Sequence, residues 1–279
     1  MTKAMRLKAQ IKNLAANKHV PAQAVLQDFM LERLLERISR SKYKHHMVLK
    51  GGMLIASMVG MSSRTTMDMD ATLGDYPLSK ATIREAFETI CAVSLPDDVT
   101  LVLDHIDPIR EDNEYGGYRV AIIARYESIN TPLKVDITTG DVITPRPVRY
   151  AFRSNFDDRT IEVWAYNLET ILAEKIETIL RRSVLNTRPR DLYDVYILLK
   201  TRPKAIHPAT LRRALRATCE NRASLPTLQD HVRILKGIRS DAVMGQRWAR
   251  YCREYSYATG IAFDEAMDML VGLLGRTQA

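Results

Sequence analysis

The chain has 279 residues, of which 46% are hydrophobic and 27% charged, enough for one large domain or two small ones with a real core. Its three cysteines (Cys91, Cys219 and Cys252) are far apart and lack CxxC spacing, which argues against a disulfide framework or zinc knuckle and favours a reducing cytoplasm. No apolar run is typical of a signal peptide or reaches the roughly 18 residues of a membrane helix, so we expect a cytoplasmic protein without a membrane anchor.

The positive charge of the chain is concentrated near its N-terminus. The sequence holds 41 Lys and Arg against 33 Asp and Glu, a net charge of +8. Residues 1–60 contain eleven of the basic residues and three of the acidic ones, so this segment carries the whole excess and the remainder is close to neutral. Such a segment attracts phosphodiester backbones by counterion release, but it is equally typical of a solvated basic face.

Hydrophobic periodicity divides the chain into three parts. Helical spacing at the start gives way to a block that mixes strands and helices, and from Asn167 the pattern is helical almost to the end. The predicted strands are Met47–Leu49, Met67–Leu73, Leu101–Ile106, Tyr118–Tyr126 and Leu133–Ile137, and the predicted helices between them are Met53–Met61 and 80–92. This order predicts an α+β protein with basic N-terminal helices over 1–45, an α/β core over 46–165 and a helical domain over 166–279.

Two aspartates in the stretch MDMDATL are the first candidates for chemistry. Residues two apart in a strand share a face, so Asp68 and Asp70 point to the same side as Thr72. Their α-carbons stand roughly 7 Å apart by the strand rise, close enough for both carboxylates to reach one or two hard cations. Arg64 is the nearby basic residue that could neutralise them. Exposed aspartate pairs are also common at strand ends, so the pair by itself is weak evidence for a metal site.

Asp136, in the stretch LKVDIT, is the candidate for a third acid. Leu133, Val135 and Ile137 alternate towards one face, which places Asp136 on the other. If this strand lies beside the first, three acids surround two Mg²⁺ ions, an arrangement that activates an attacking oxygen and stabilises a leaving phosphate. Asp136 is equally compatible with a polar, outward-facing position on an edge strand.

Lys175 lies near the centre of an apolar helical stripe that begins after Asn167, the predicted N-cap. An ammonium in such a place extends to water or meets an anion, which is either a triphosphate or an acid of the core. In RPRDLYDVYILL, Pro189 suits a helix start, and Asp191 and Asp194 share one face of that helix. Acids in a first turn also complement the helix dipole, which accounts for Asp191 more readily than for Asp194.

A cluster of arginines surrounds the loop before this helix. Its members are Arg181, Arg182, Arg188 and Arg190. They are suited to bind phosphates or RNA, and they are equally typical of a basic surface that faces water. The GxSxG, P-loop and HExxH motifs are absent from the sequence, so those hydrolase and NTPase classes have no support.

Four segments together resemble the AbiEii/AbiGii toxin family, a branch of the polymerase-β-like nucleotidyltransferase superfamily. The family's first motif, a glycine turn and helix before a DxD strand, is similar to LKGGMLIASMVGMSSRTTMDMDATL. The later strand with the third acid is similar to VDITTGDVITP. The lysine-containing helix and the RxRDxxD motif are similar to LETILAEKIETILRR and TRPRDLYDVYIL. The resemblance spans roughly residues 25–200, with a fainter one around Trp248–Leu274.

The resemblance implies a nucleotidyltransferase-type mixed sheet core flanked by helices, with a C-terminal helical domain. It implies that Gly51 and Gly52 form a turn whose backbone amides approach the triphosphate. The implied ligands of Mg²⁺ or Mn²⁺ are Asp68, Asp70 and Asp136. The other predicted site residues are Lys175 as a phosphate contact, Asp191 and Asp194 at the catalytic cleft, and Lys50, Arg64 and Arg190 as further nucleotide contacts.

One position departs from the superfamily pattern. Relatives carry Ser or Thr beside the turn glycine, where the hydroxyl helps to hold phosphate, whereas Met53 follows Gly52 here. The backbone amides and Lys175 are then left to make that contact.

The family implies the toxin of a bacterial toxin–antitoxin (abortive infection) system, with a winged-helix antitoxin as its partner. Related toxins add nucleotides to the 3′ end of tRNA, so the resemblance implies transfer of NMP from an NTP to an RNA acceptor. Two other functions remain open. The chain could bind an NTP without transferring it, an alternative that Met53 favours, or it could modify a small molecule as other members of the superfamily do.

Overall fold

The computed structural model describes residues 2–109 and 116–278. These residues form two units, the first within Met1–Gly140 and Val148–Ala165 and the second within Asp141–Pro147 and Tyr166–Ala279. Each unit has a buried hydrophobic core of its own.

The first unit is built on one mixed β-sheet. Its described strands are β1 (Met47–Lys50), β2 (Met69–Leu73), β3 (Thr100–Ile109), β4 (Gly117–Tyr126), β5 (Ile129–Thr139), β6 (Val148–Arg153) and β7 (Thr160–Ala165). They lie in the order β3-β4-β5-β2-β1-β7-β6. β2 runs parallel to β5 and β1 parallel to β7, while the other neighbours are antiparallel. A mixed sheet with flanking helices confirms the α+β prediction.

The structure contains two strands that hydrophobic alternation did not predict, β6 and β7. β6 is an edge strand, and of its six residues Phe152 alone is buried, so its hydrophobic signal is weak. β5 also starts earlier than predicted, at Ile129, because its hydrogen bonds to β4 continue through polar residues such as Asn130. Backbone pairing thus extends past the residues that carry an alternating pattern.

The first unit has four described helices, one of which is buried on every side over part of its length. They are α1 (Lys3–Lys18), α2 (Ala22–Arg40), α3 (Gly51–Val59) and α4 (Lys80–Cys91). Thr2 and Ser79 cap α1 and α4, each accepting a hydrogen bond from a backbone N–H three residues later. α2 is buried on every side from Met30 to Ile38, because α1, α4 and strands of the sheet all contact it.

Part of the N-terminal positive charge is neutralised inside this packing. Arg33 and Arg37 of α2 are each about 2% exposed. Arg37 makes a two-pronged ion pair with Asp97, at 2.7 and 2.9 Å, and Arg33 contacts Glu32 at 3.3 Å. Arginines buried in ion pairs do not attract a nucleic acid, so the charge count over residues 1–60 overstates the basic surface.

The second unit is helical. Its described helices are α5 (Leu168–Arg182), α6 (Pro189–Thr201), α7 (Pro208–Asn221), α8 (Leu225–Gln229), α9 (His231–Ser240), α10 (Ala242–Glu254) and α11 (Phe263–Gln278). The predicted start of α5 is confirmed, because the Asn167 side chain accepts a hydrogen bond from the Thr170 N–H at 2.8 Å. α6 begins at Pro189 as predicted. Over the described residues, no helix combines the length and apolarity needed to cross a bilayer.

A buried pair of acids joins α2 to the loop between β6 and β7. The side-chain amide of Asn155 donates to Asp28 at 2.9 Å, and its backbone N–H donates to Glu32 at 2.8 Å. Ser154 donates a further hydrogen bond to Glu32 at 2.6 Å. Burial, and then the neighbouring Glu32, raise the pKa of Asp28 to about 8. Asp28 therefore carries a proton in the folded protein at neutral pH.

We predict that Asp28→Asn stabilises the protein increasingly as pH rises. The unfolded carboxyl ionises near pH 4 while the folded one keeps its proton to about pH 8, so the wild type loses stability across this window. The difference in the free energy of unfolding between the variant and the wild type should grow by at most about 1.4 kcal/mol per pH unit, because one proton is involved. Urea unfolding between pH 5 and 8.5 measures it, with the exposed Asp158→Asn as the matched control. A pH-independent difference would contradict the assignment.

Candidate active site

A row of charged residues crosses four adjacent strands of the sheet. Strand register places Lys50 of β1 opposite Asp70 of β2, Asp70 beside Asp136 of β5, and Asp136 opposite Arg119 of β4. Directly paired residues point to the same face of a sheet, so the four side chains share one face. Along the row, the two negative charges lie side by side with a positive charge at either side of the pair. The prediction that the Asp136 strand lies beside the Asp70 strand is confirmed.

The Asp136 carboxylate is held by Arg119. Arg119 Nε donates to one oxygen at 2.8 Å and Nη2 to the other at 2.7 Å. The pKa of Arg119 is raised, first by this contact with Asp136 and then by the charges of Asp68 and Asp70. The arginine therefore lies in the field of all three predicted metal-binding acids.

Asp68 lies in a bend that precedes β2, not within the strand. The predicted strand over Met67–Leu73 begins at Met69 in the structure. The Thr66 hydroxyl lies 3.1 Å from the backbone oxygen and 3.0 Å from a carboxylate oxygen of Asp68. These local hydrogen bonds favour a turn and compete with strand pairing, which is why the strand starts one residue after Asp68.

The Gly51–Gly52 turn is pressed against the acids. Gly51 has a φ of +68°, and a Cβ atom added to it would stand 2.0 Å from Asp70 Oδ2. A Cβ atom on Gly52 would stand 2.8 Å from the Thr66 hydroxyl and 3.2 Å from Arg64 Nη2. The chain therefore needs glycine at both positions, and at Gly51 it needs glycine for conformation as well as space.

α3 begins at this turn and directs its first N–H groups to the same place. Its first turn has no side-chain cap and no acidic residue. Uncapped N–H groups at a helix N-terminus, together with the helix dipole, suit a phosphate or another anion. Lys50 and the fully buried Arg64 flank this end of the helix, and their role as nucleotide contacts stays a prediction.

Residue 53 is a methionine and offers no hydroxyl, but the hydroxyl of Thr66 lies beside the same turn. Met53 is completely buried, so its side chain belongs to the core of the first unit. The Thr66 hydroxyl lies 2.8 Å from the position that a Cβ atom on Gly52 would take. A hydroxyl is thus present beside the turn, although it comes from a later part of the chain.

The predicted metal ligands have the chemistry of a hard-cation site. Carboxylate oxygens are the ligands that Mg²⁺ and Mn²⁺ prefer, and the register brings Asp70 and Asp136 side by side. Within the described residues, no three Asp, Glu, His or Cys side chains converge closely enough to hold a metal ion as they stand. Arg119 holds both oxygens of Asp136, so the donor set fits a cation once the arginine releases that carboxylate.

In the second unit, Lys175 is paired with two buried acids of α6. Its ammonium lies 2.7 Å from Asp191 Oδ1 and 3.0 Å from Asp194 Oδ2. Asp191 is 2% exposed and Asp194 is fully buried. Of the two partners considered for Lys175, the core acid is therefore the one present. The prediction that Asp191 and Asp194 share an inward face is confirmed.

Arg190 extends this group towards a set of tyrosines. Its guanidinium lies 5.6 Å from the centre of the Tyr255 ring and donates to the Tyr255 hydroxyl at 3.0 Å. Arg188 Nε lies 3.5 Å from the second oxygen of Asp191. Arg188 thus places a further cation beside Asp191, while Arg190 contacts Tyr255.

Sequence reasoning missed two residues of the site, Arg119 and Thr66. Arg119 belongs to no motif, and the polar face of β4 was the one signal available. Its partner is 17 residues away, so the contact depends on a strand register that periodicity does not provide. Thr66 lies just before the DxD pair, where a hydroxyl two residues upstream of an aspartate indicates a local turn.

We predict that Gly51→Ala destabilises the first unit more than Gly60→Ala. Both positions have positive φ, but a Cβ atom on Gly60 meets nothing within 4 Å. Gly60→Ala should cost about 1–3 kcal/mol from backbone strain, because its φ of +90° and ψ of 146° lie outside the left-handed helical region. Gly51→Ala should cost about 1–3 kcal/mol more, because the new methyl group displaces Asp70. Urea unfolding measures both, and equal losses would show that Asp70 moves aside without cost.

We predict that Lys175→Met destabilises the second unit by about 3–5 kcal/mol, because it removes a cation from two buried carboxylates. Adding Asp191→Asn and Asp194→Asn should restore much of the loss. Lys200→Met is the matched control: its side chain is 59% exposed, and the change should cost less than about 1 kcal/mol. Chemical unfolding gives the comparison, and a Lys175→Met protein as stable as the control would refute the structural pairing.

The fold and motifs have counterparts among known proteins. A proposed nucleotidyltransferase from Helicobacter pylori shares the fold, with a TM-score of 0.52 and 15% identity over 93% of this chain and 96% of that one. The protein JHP933 from Helicobacter pylori aligns with a TM-score of 0.48 and 15% identity over 92% of both chains. No curated protein matches the sequence.

The family "Nucleotidyl transferase AbiEii toxin, Type IV TA system" matches residues 33–269, well over half of the chain. This match confirms the resemblance found in the four motifs. The chain therefore belongs to the AbiEii nucleotidyltransferase toxin family of type IV toxin–antitoxin systems.

Proposed function

We propose that this nucleotidyltransferase transfers NMP from an NTP to an RNA acceptor, the 3′ end of tRNA, in a reaction that depends on Mg²⁺ or Mn²⁺. We further propose that the toxin acts in the cytoplasm and is opposed by a winged-helix antitoxin. The observation that carries the proposal is the pairing of Asp70 with Asp136, directly beside the uncapped start of α3. Acids and a phosphate-binding helix end are the two parts that nucleotidyl transfer needs together.

The triphosphate is assigned to the Gly51–Gly52 turn. The first N–H groups of α3 can donate to phosphate oxygens without interference from a capping side chain. Lys50 and Arg64 add positive charge beside the turn. The Thr66 hydroxyl donates its one proton to Asp68 in the absence of a nucleotide, and it is proposed to turn to the phosphate when a nucleotide binds, in place of the hydroxyl that relatives carry beside the glycine.

Asp68, Asp70 and Asp136 are assigned to the divalent cation. A bound cation would polarise the α-phosphate and offset the charge that develops on the leaving group. Thr66 orients Asp68, and the close approach of Gly51 leaves Asp70 little freedom to rotate. These contacts hold two of the three carboxylates in place before any ligand binds.

The proposed reaction is an in-line displacement at the α-phosphorus. The acceptor hydroxyl oxygen forms the new P–O bond, the bond to the β-phosphate oxygen breaks, and pyrophosphate leaves. Asp136 accepts the hydroxyl proton, a role open to a carboxylate at the edge of the acid group and 19% exposed. The charge on pyrophosphate then requires nearby cations.

Lys175, Asp191, Asp194 and Arg190 keep the roles that the family resemblance implies. Lys175 is proposed to contact nucleotide phosphates, and Asp191 and Asp194 to fix the position of its ammonium. Arg190 is proposed as a second cation, placed by its contact with Tyr255. The ion pairs explain how a lysine on an apolar helix face remains charged.

An RNA acceptor is supported by the family and by the exposed cations of α1. Arg6, Lys8, Lys12 and Lys18 are exposed on that helix. Such residues predict a binding constant that falls steeply with ionic strength, which a small neutral acceptor does not share. Salt dependence therefore separates RNA from a small-molecule acceptor.

The test is incubation with tRNA, Mg²⁺ and each NTP labelled at the α-phosphate. We expect label in the RNA, and a loss of more than about a hundredfold in rate for Asp68→Ala/Asp70→Ala. Asp264→Ala/Asp268→Ala removes two exposed acids from α11 and should leave the rate unchanged. Transfer by none of the NTPs, or equal rates for all variants, would refute the proposal. Tight NTP binding without pyrophosphate release would favour the binding protein instead.

A further inference from the structure

Arg119 occupies the carboxylate that the proposed cation needs. Its guanidinium donates one hydrogen bond to each oxygen of Asp136, so both oxygens are engaged by the arginine. The register nevertheless places these two aspartates directly beside each other. Two adjacent carboxylates repel unless positive charge compensates them, and in this structure Arg119 supplies part of that charge.

We propose that Arg119 is an internal counter-ion that a divalent cation must displace from Asp136. The inference rests on the proposed function in that it assigns the cation to Asp70 and Asp136. It makes Arg119 a positioning residue that acts through Asp136 and sets the cation concentration at which the site fills.

Electrostatics favours the exchange. A divalent ion held by Asp70 and Asp136 would compete with the guanidinium for the same carboxylate, and like charges on one carboxylate repel each other. With Arg119 still in place, Lys50, the ion and Arg119 would carry four positive charges against the two negative charges of Asp70 and Asp136. Asp68 adds a third negative charge in the same field, which helps the ion to outcompete the single charge of the arginine.

The geometry allows the exchange without a change of fold. The Arg119 side chain is 47% exposed, so rotation about its side-chain bonds carries the guanidinium into water. Asp136 is less exposed and stays on the central strand β5, where hydrogen bonds on both sides fix its backbone. The movable partner is therefore the arginine.

The test is a titration of the full chain with Mn²⁺ in the absence of nucleotide. The electron paramagnetic resonance signal of free Mn²⁺ measures how much of the ion is bound. Arg119→Gln removes the competing charge and should tighten binding about five- to tenfold. Arg119→Lys keeps the charge but loses the two-pronged contact, and should give an intermediate gain. Arg125→Gln removes the same charge from the same face of β4, six residues away, and should change binding less than twofold at physiological salt.

A double-mutant cycle with Asp136→Asn shows whether Arg119 acts through this carboxylate. In the Asp136→Asn background, Arg119→Gln should no longer tighten Mn²⁺ binding. The proposal is overturned by unchanged binding in both Arg119 variants, by equal gains from Arg119→Gln and Arg125→Gln, or by a gain that persists without Asp136.

These outcomes are independent of the transfer reaction. Tighter Mn²⁺ binding by Arg119→Gln, with no label transfer by the wild type, would uphold the role of Arg119 and refute the proposed function. Label transfer by the wild type, with unchanged Mn²⁺ binding in the Arg119 variants, would uphold the proposed function and refute the role of Arg119.

Discussion

The site depends on two aspartates held side by side on parallel strands. Asp70 and Asp136 cannot separate, because the hydrogen bonds between β2 and β5 fix their register. Like charges so close require cations, and the same register brings Lys50 and Arg119 to the two ends of the row. The glycine turn follows from this arrangement, since the chain must pass Asp70 at a distance that no side chain on Gly51 permits.

Much of the fold and the identity of the acids could be predicted from local patterns. Alternation in MDMDATL and LKVDIT places Asp70 and Asp136 on polar faces, and the structure confirms both. Arg119 could not be predicted, because its contact depends on a register between distant residues. The predicted start of this strand at Met67 was two residues too early, since the hydrogen bonds of Thr66 to Asp68 replace strand pairing there.

Charge was less informative than the motifs, because a count does not show where charges are neutralised. Arg33 and Arg37 contribute to the basic N-terminal segment but are buried in ion pairs. The sequence left a triphosphate and a core acid open as partners of Lys175, and the structure pairs it with two buried carboxylates. In each case burial forces a cation to take an internal partner, so the sequence pattern identifies the unusual residue but not its partner.

The central claim is that Asp70 and Asp136 form a common cation site from which Arg119 is displaced. Anomalous scattering from crystals of the protein grown with Mn²⁺ tests it most directly. The account predicts a manganese peak within ligand distance of both carboxylates, with the Arg119 guanidinium turned away from Asp136. A peak elsewhere, or Mn²⁺ bound while both Arg119–Asp136 hydrogen bonds remain, would contradict it.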